Sequence, residues 1–282
     1  MSTGLDLEQK LEQLKSMINE LAGVLVAFSG GVDSTFLLKV CLDVLGKDRV
    51  LAVTAKSAIY PERELNDAVK LAGILGARHK IIESEELDIP RFSDNPPERC
   101  YYCKKELYGK LLNIARQEGL NFVVDGSNFD DTGDFRPGMR AVKESRVRSP
   151  LKETGITKDE IRTLSRRMGL PTWDKPSFAC LSSRFPYGEK ITKEKLNRVA
   201  RAEEVLRNLG FSQYRVRSHD NIARIEVKPE EMARLFESGL REHVAAMIKE
   251  TGFSYVTLDL LGYRTGSMNE VLKEEEKEIW KN

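Results

Sequence analysis

The most constraining feature of the sequence is a continuous apolar run, Val24-Leu25-Val26-Ala27-Phe28. It breaks directly into Ser29-Gly30-Gly31-Val32-Asp33-Ser34 and then into a helical pattern from Phe36 to Leu45, with Gly46 as a stop. Continuous rather than alternating apolar residues belong to a strand covered on both faces, as in parallel sheets. The alternation then repeats. Val50–Thr54 reads as a strand, Pro61–Leu75 as a helix with Pro61 suited to its first position, and His79–Glu83 as a third strand. Lys104–Gln117 reads as a helix and Asn121–Asp125 as a fourth strand. Ahead of them, Leu7, Leu11, Leu14, Ile18 and Leu21 recur at helical spacing, and Gly23 marks the end.

Strands alternating with helices of this length predict an α/β fold with a doubly wound parallel sheet. Ligands of such sheets bind beyond the carboxyl ends of the strands, where strand order reverses. The Ser29 loop, Ala55–Tyr60 and Asp125–Asn128 are therefore expected to converge on one edge. Two stretches break the pattern: 88–99, a loop leading to a cysteine pair, and 127–150, rich in glycine, proline and acidic residues. Thr157-x-x-Glu160 is a capping-box pattern that opens a further helix. After 174–187 the pattern changes to α+β: helices at 196–209, 229–238 and 241–250, strands at 213–217, 223–227 and 255–260. The expected organisation is a domain over residues 1–175 and a smaller α+β domain for substrate and oligomerisation over 176–282. A length of 282 residues suits two domains.

Charge narrows the function classes. Forty-five basic against 44 acidic residues leave a net charge of +1, so nothing global favours nucleic acid or a membrane surface. No run approaches the roughly 18 apolar residues of a membrane span, and the charged, amphipathic start is unlike a secretory leader. The cytoplasm is the default location, where thiols stay reduced and cysteines are read first as metal ligands or reactive groups.

The Ser29–Ser34 loop has the chemistry of an anion cradle. Glycines let the backbone approach closely, the helix start offers unpaired N–H groups, and Ser29 and Ser34 add hydroxyls. Asp33 would repel phosphates unless a cation intervenes, which points to Mg²⁺. The loop lacks the Gly-Lys-Ser/Thr ending of a Walker A loop and the third glycine of a dinucleotide fingerprint. It resembles instead the SGGxDS loop of the ATP pyrophosphatase (PP-loop) superfamily, whose members cleave ATP between the α- and β-phosphates and pass AMP to an acceptor. That resemblance implies an ATP site formed by Ser29, Gly30, Gly31, Val32, Asp33 and Ser34, with Ala55 and Gly126 on the neighbouring strand ends. Lys104, Lys105, Arg136 and Arg140 are candidate neutralising charges, with Lys105 and Arg136 foremost.

Cys100-Tyr-Tyr-Cys103 has the spacing of a metal hook, and Cys180 follows much later. Three cysteines can hold three corners of a [4Fe–4S] cluster; a redox dithiol or a pair of ordinary thiols stays open. Cys41 lies in an apolar run and reads as a small hydrophobe.

Val26–Ser34, Asp125-Gly126, Arg136-Pro-Gly138, Ser182-Ser-Arg-Phe-Pro-Tyr-Gly188, Val216-Arg217, Ile222–Glu226 and Val256–Leu260 together resemble the LarE family. These are ATP-dependent sulfur transferases of nickel-pincer nucleotide cofactor synthesis. The resemblance covers nearly the whole chain. It implies a pyridinium mononucleotide with two carboxylates as small-molecule substrate, and sulfide or another sulfur donor as partner. Each carboxylate would be adenylylated and then converted to a thiocarboxylate. One version of the family sacrifices a single cysteine, which would align with Ala179. This chain has Cys180 beside that position and adds Cys100 and Cys103, so the resemblance favours the [4Fe–4S] version with those three as ligands. It places Ser183, Arg184, Arg215, Arg217 and Glu226 with Arg136 on the substrate side, makes Asp33, Lys105 and Cys180 catalytic, and implies a homo-oligomer. Glu203 and Glu226 are further carboxylates that could hold a metal. The competing readings are a tRNA thiolase of the same superfamily, opposed by the absence of a basic RNA-binding extension, and a non-enzymatic nucleotide-binding iron–sulfur module, which would have no use for Asp33.

Overall fold

The computed structural model describes residues 6–132 and 137–275. They form two compact units, one of residues 6–84 and 100–178, the other of 85–99 and 179–275.

The elements of the first unit are α1 (Leu7–Leu21), β1 (Val24–Ala27), α2 (Val32–Leu45), β2 (Val50–Lys56), α3 (Glu62–Ile74), β3 (Arg78–Glu83), α4 (Arg99–Gln117, whose first residue is counted with the second unit), β4 (Phe122–Val124), α5 (Gly138–Glu144), α6 (Pro150–Glu153) and α7 (Lys158–Arg167). The sheet is parallel throughout, in the order β3-β2-β1-β4. Successive residues of β1 face opposite ways. Val24 and Val26 join a core with Leu14 and Ile18 of α1, Phe36 and Leu37 of α2, Ala68 of α3 and Ile161 of α7. Leu25 joins a second core with Tyr108 and Leu111 of α4 and Val142 of α5. Burial on both faces is what the continuous apolar run requires, and the expected doubly wound sheet is observed.

The strand order creates the reversal. From β1 the chain steps outward to β2 and β3. It then crosses back over the opposite face through α4, so that β4 pairs with the free side of β1. The loops after β1 and β4 are neighbours there. Gly126 seals the contact: a Cβ on it would lie 2.9 Å from the Ser34 nitrogen.

Some local expectations shift. Pro61 stands at the N-cap of α3, with ψ 145°, rather than inside its first turn. The residue in left-handed conformation after α1 is Ala22, one place before Gly23. α4 starts at Arg99 rather than Lys104, so the Cys100–Cys103 pair lies on a helix and not at the end of a loop. Tyr101 and Lys105, four residues apart on that helix, are hydrogen-bonded, a local pairing that extends the helix over an otherwise weak start.

The second unit contains α8 (Lys193–Asn208), β5 (Tyr214–His219), β6 (Ile222–Val227), α9 (Leu240–Glu250) and β7 (Tyr255–Leu258). β5 and β6 form an antiparallel hairpin, and β7 returns parallel to β6. The segment Pro229–Phe236, expected as an α-helix, is wound as a tighter 3₁₀ helix. Segment 85–99 joins this unit through bonds such as Gly188 N to Asn95 O at 2.9 Å.

Replacing Gly126 by alanine is expected to leave the fold recognisable by circular dichroism. It should cost about 1–3 kcal/mol through overpacking against the Ser34 backbone, read as a lowered urea midpoint.

Candidate active site

The phosphate loop is built from backbone outward. Phe28 N donates to Val53 O at 2.9 Å and Phe28 O accepts from Thr54 Oγ1 at 2.8 Å, which ties the end of β1 to β2. Gly30 then takes φ +68°, and Ala68 of α3 leaves room for no Cβ there, its Cα standing 3.0 Å from where one would sit. Ser34 Oγ lies 3.1 Å from Ser29 Oγ and closes the loop on itself. Gly31 is the N-cap of α2 and has no side chain to cap with, so the first-turn N–H groups of Val32, Asp33 and Ser34 face the loop without a side-chain acceptor from it. Val32 itself is buried, so its part in an anion site is its backbone.

Two lysines flank this loop that the sequence reading did not single out. Lys158, the first residue of α7, meets Asp33 Oδ2 at 2.5 Å. Lys175 reaches Gly30 O at 3.3 Å and the carboxylates of Glu64 and Asp67 at 3.1 and 3.3 Å. The other oxygen of Asp33, Oδ1, is buried without a hydrogen-bond partner. A buried carboxylate oxygen left unpaired is costly. It suits a divalent cation whose remaining ligands are phosphate oxygens and water, the usual arrangement for Mg²⁺.

Beside the loop, at the end of β4, Asp125 is held from both sides. Tyr108 and Ser127 hydroxyls donate to Oδ2 at 2.8 and 2.9 Å, and Ser149 donates to Oδ1 at 2.7 Å. Burial first, and Asp125 second, push the Tyr108 hydroxyl well above its ordinary range, so it remains a donor. Lys104 Nζ lies 4.0 Å from Asp125. Lys105 instead joins an exposed cluster with Tyr101, at 2.8 Å, and Glu144, at 3.4 Å. Of the two adjacent lysines, it is Lys104 that the helix turns toward the strand ends. Ala55 is the penultimate residue of β2, on the same sheet edge. Arg136 lies outside the described residues.

The cysteines divide. Cys41 is buried, and burial raises its thiol far above the usual value, which fits the apolar reading. Cys100 is exposed and Cys103 partly so on the first turn of α4; Cys180 is partly exposed in the second unit. Among the described residues no group of three His, Cys, Asp or Glu side chains is gathered to hold a metal. Cys100 and Cys103 belong to the first unit and Cys180 to the second.

In the second unit the expected substrate residues form a charged interior. Arg184 and Glu203, both fully buried, pair at 2.7 and 3.0 Å. Arg184 also donates to the carbonyls of Ala179 and Cys180 at 2.9 and 3.1 Å. Its guanidinium therefore shapes the turn that carries Cys180. Arg217 is bidentate to buried Glu226, at 2.9 Å twice, and donates to Ser183 O at 2.6 Å and Ser267 Oγ at 2.9 Å. Arg224, directly opposite Arg217 in the hairpin, shares Glu226 at 3.2 Å and meets Asp259 at 3.5 Å. Like charges facing across strands repel, and these two carboxylates offset that. Glu203 and Glu226 are thereby committed to arginines rather than to a metal. Arg215 is buried against Tyr263; burial, then Arg184, lowers its guanidinium to about 10, so it stays charged at neutral pH.

A cavity of about 150 Å³ opens in this unit, lined by Ser183, Tyr187, Arg217, His219, Arg224 and Arg264 among others. His219 is held below its ordinary value by burial and by Arg224, and its Nε2 is buried without a partner. Ser183, Arg184 and Arg217 were expected on the substrate side, and all three line this cavity. Arg215 and Glu226 stand behind the cavity wall rather than in it. His219, Arg224 and Arg264 were missed, although alternation along β5 places His219 on the face of Arg215 and Arg217.

A family model for NAD synthase matches residues 6–95. Over 266 residues the chain is 48% identical to an uncharacterized protein of Synechocystis sp., spanning 94% of this chain and 99% of that one. It is 42% identical over 267 residues to the pyridinium-3,5-bisthiocarboxylic acid mononucleotide synthase of Lactiplantibacillus plantarum, spanning 94% and 96% of the two chains. The chain belongs to the LarE family. It is accordingly an enzyme of the PP-loop superfamily. Likeness to the tRNA-specific 2-thiouridylase of Rickettsia africae is narrower, 28% over 190 residues and about half of each chain, 54% and 52%. No helix among the described residues is long and apolar enough to cross a membrane.

Within this LarE chain the Arg184–Glu203 pair is the most exposed to mutation. Glu203→Ala would leave a fully buried guanidinium without its counter-charge, and a loss of about 3–5 kcal/mol in urea unfolding is expected.

Proposed function

We propose that this enzyme uses ATP and Mg²⁺ to adenylylate a carboxylate of pyridinium-3,5-biscarboxylic acid mononucleotide and exchanges the AMP for sulfur. The reading rests above all on the Asp33 carboxylate, one oxygen buried and unpartnered, inside a glycine loop at the point where strand order reverses. The substrate comes from the relative in Lactiplantibacillus plantarum, whose name specifies the bisthiocarboxylic product.

In the first step a carboxylate oxygen forms a bond to the α-phosphorus while the bond to the bridging oxygen breaks, and pyrophosphate leaves with that electron pair. The loop N–H groups, Ser29, Ser34 and a cation on Asp33 would stabilise the departing charge. Mg²⁺, when bound, supplies neutralisation that the side chains here lack. In the second step a sulfur nucleophile attacks the acyl carbon and AMP leaves, giving a thiocarboxylate. The pocket of Arg217, Arg224, Arg264 and neutral His219 suits the substrate phosphate, because guanidinium offers planar paired donors.

The sulfur would come from a [4Fe–4S] cluster that Cys100, Cys103 and Cys180 would hold. What supports it is their solvent exposure, the burial of Cys41 and the alanine at 179. A homo-oligomer in the cytoplasm completes the reading; exposed Leu260, Leu261 and Phe236 are consistent with association.

Pyrophosphate release should require both Mg-ATP and the biscarboxylated nucleotide. Asp33→Ala should lower it by roughly 10²–10³, and Lys104→Ala should weaken ATP binding more than Lys105→Ala. Release driven by a tRNA transcript and not by the pyridinium nucleotide would reassign the enzyme as a tRNA thiolase. Anaerobic reconstitution with iron and sulfide should load iron that Cys100→Ala, Cys103→Ala and Cys180→Ala each abolish. Absence of iron, with Cys180 converted to dehydroalanine after one turnover, would replace the cluster by a sacrificed side chain.

A further inference from the structure

We propose that Lys158 is a positioning residue with two partners: it holds the Asp33 carboxylate in the chain by itself, and it transfers its ammonium to the pyrophosphate when a divalent cation takes that carboxylate. The inference rests on the ATP reading above and assigns a side chain to the charge that reading leaves unbalanced.

The two lysines at the loop are differently committed. Lys175 is caged by Glu64, Asp67 and the Gly30 carbonyl. Arg63 lies 3.6 Å from Glu64, so this cluster carries no surplus charge, and Lys175 holds the loop in shape. Lys158 has one acceptor for its ammonium among the described residues, Asp33 Oδ2, and both side chains are about one quarter exposed, 26% and 22%. Asp33, Glu64 and Asp67 against Lys158, Lys175 and Arg63 balance, so this set offers no surplus positive charge to a pyrophosphate. A divalent cation on Asp33 changes this twice: it brings its own charge, and it releases the Lys158 ammonium.

The backbone of Lys158 is fixed by several bonds, while the ammonium at the end of its side chain is held by Asp33. Its N–H donates to Asp130 Oδ2 at 2.7 Å, and Thr157 and Glu160 cap α7 reciprocally, with Glu160 held in turn by Lys10 at 2.8 Å. A flexible four-carbon stem on a fixed helix start can move its ammonium between neighbouring anions without moving the helix. The unpartnered Asp33 Oδ1 gives the incoming cation a first point of attachment before the lysine leaves.

The test separates metal from phosphate. Nucleotide-free Mn²⁺ binding is followed by electron paramagnetic resonance, and inorganic pyrophosphate binding with Mg²⁺ by calorimetry, on the wild type, Lys158→Ala and Lys158→Arg, each checked for folding by circular dichroism. Lys158→Ala should bind Mn²⁺ at least about threefold tighter, because a competitor for Asp33 is gone. It should also bind magnesium pyrophosphate about tenfold more weakly, the worth of one charge-assisted hydrogen bond. Lys158→Arg should restore most of the pyrophosphate affinity. Unchanged Mn²⁺ affinity, or unchanged pyrophosphate affinity, in a folded Lys158→Ala protein overturns the assignment while the ATP reading stands. A wild-type protein that binds neither magnesium pyrophosphate nor Mg-ATP overturns both.

Discussion

The first unit depends on one close approach. β4 can lie against β1 only because the chain after it has no side chain at Gly126, where even a methyl group would press on the Ser34 nitrogen. That approach converts a strand order into a site. It brings the Asp125 network beside the phosphate loop, and it lets two loops from opposite directions of winding share one edge of the sheet. The two apolar cores on either face fix β1 between them, so the loop is held from both sides by packing and not by its own hydrogen bonds, which are few and long, 3.1–3.4 Å.

The second unit solves a different problem. It buries guanidinium groups in a small α+β layer against a carboxylate or a ring: Arg184 with Glu203, Arg217 with Glu226, Arg215 over Tyr263; the half-buried Arg224 shares Glu226 and meets Asp259. Buried ion pairs of this sort stabilise little in themselves, because desolvation consumes most of the Coulomb gain. Their geometry is the return. A bidentate pair fixes a guanidinium in one plane, so the donors left over, such as those of Arg217 toward Ser183 and Ser267, point in set directions.

Much of this was legible in the sequence. The alternation of apolar runs with helical patterns carried the sheet and its winding because β1 and β2 are buried on both faces, and a strand in that position has little freedom in composition. The phosphate loop was legible because glycine, hydroxyl and carboxylate must follow one another within six residues. What escaped were partnerships across long separations. Lys158 lies 125 positions from Asp33 and Lys175 lies 145 from Gly30; no local pattern marks either lysine. Adjacent lysines were also indistinguishable in sequence, since one step along α4 rotates a side chain about 100° and decides between Asp125 and the exposed Tyr101 cluster. Arg184 and Glu226 both spend polar groups on protein partners, Arg184 in the cavity lining and Glu226 outside it, and no local pattern in the sequence marks those partners.

Charge balance at the loop connects the two readings of Asp33. Beside a bare phosphate the carboxylate would be a liability, and in the chain by itself Lys158 cancels it. The glycine loop with its lysines already committed is poorly suited to an anion that arrives alone. It is suited to an anion that arrives with a divalent cation, because that cation both occupies the carboxylate and frees an ammonium. On the proposed reading, discrimination for metal-bound polyphosphate would follow from the arrangement of three charges within one loop and one helix start. Two or more of the cation's ligands would then come from the phosphates themselves.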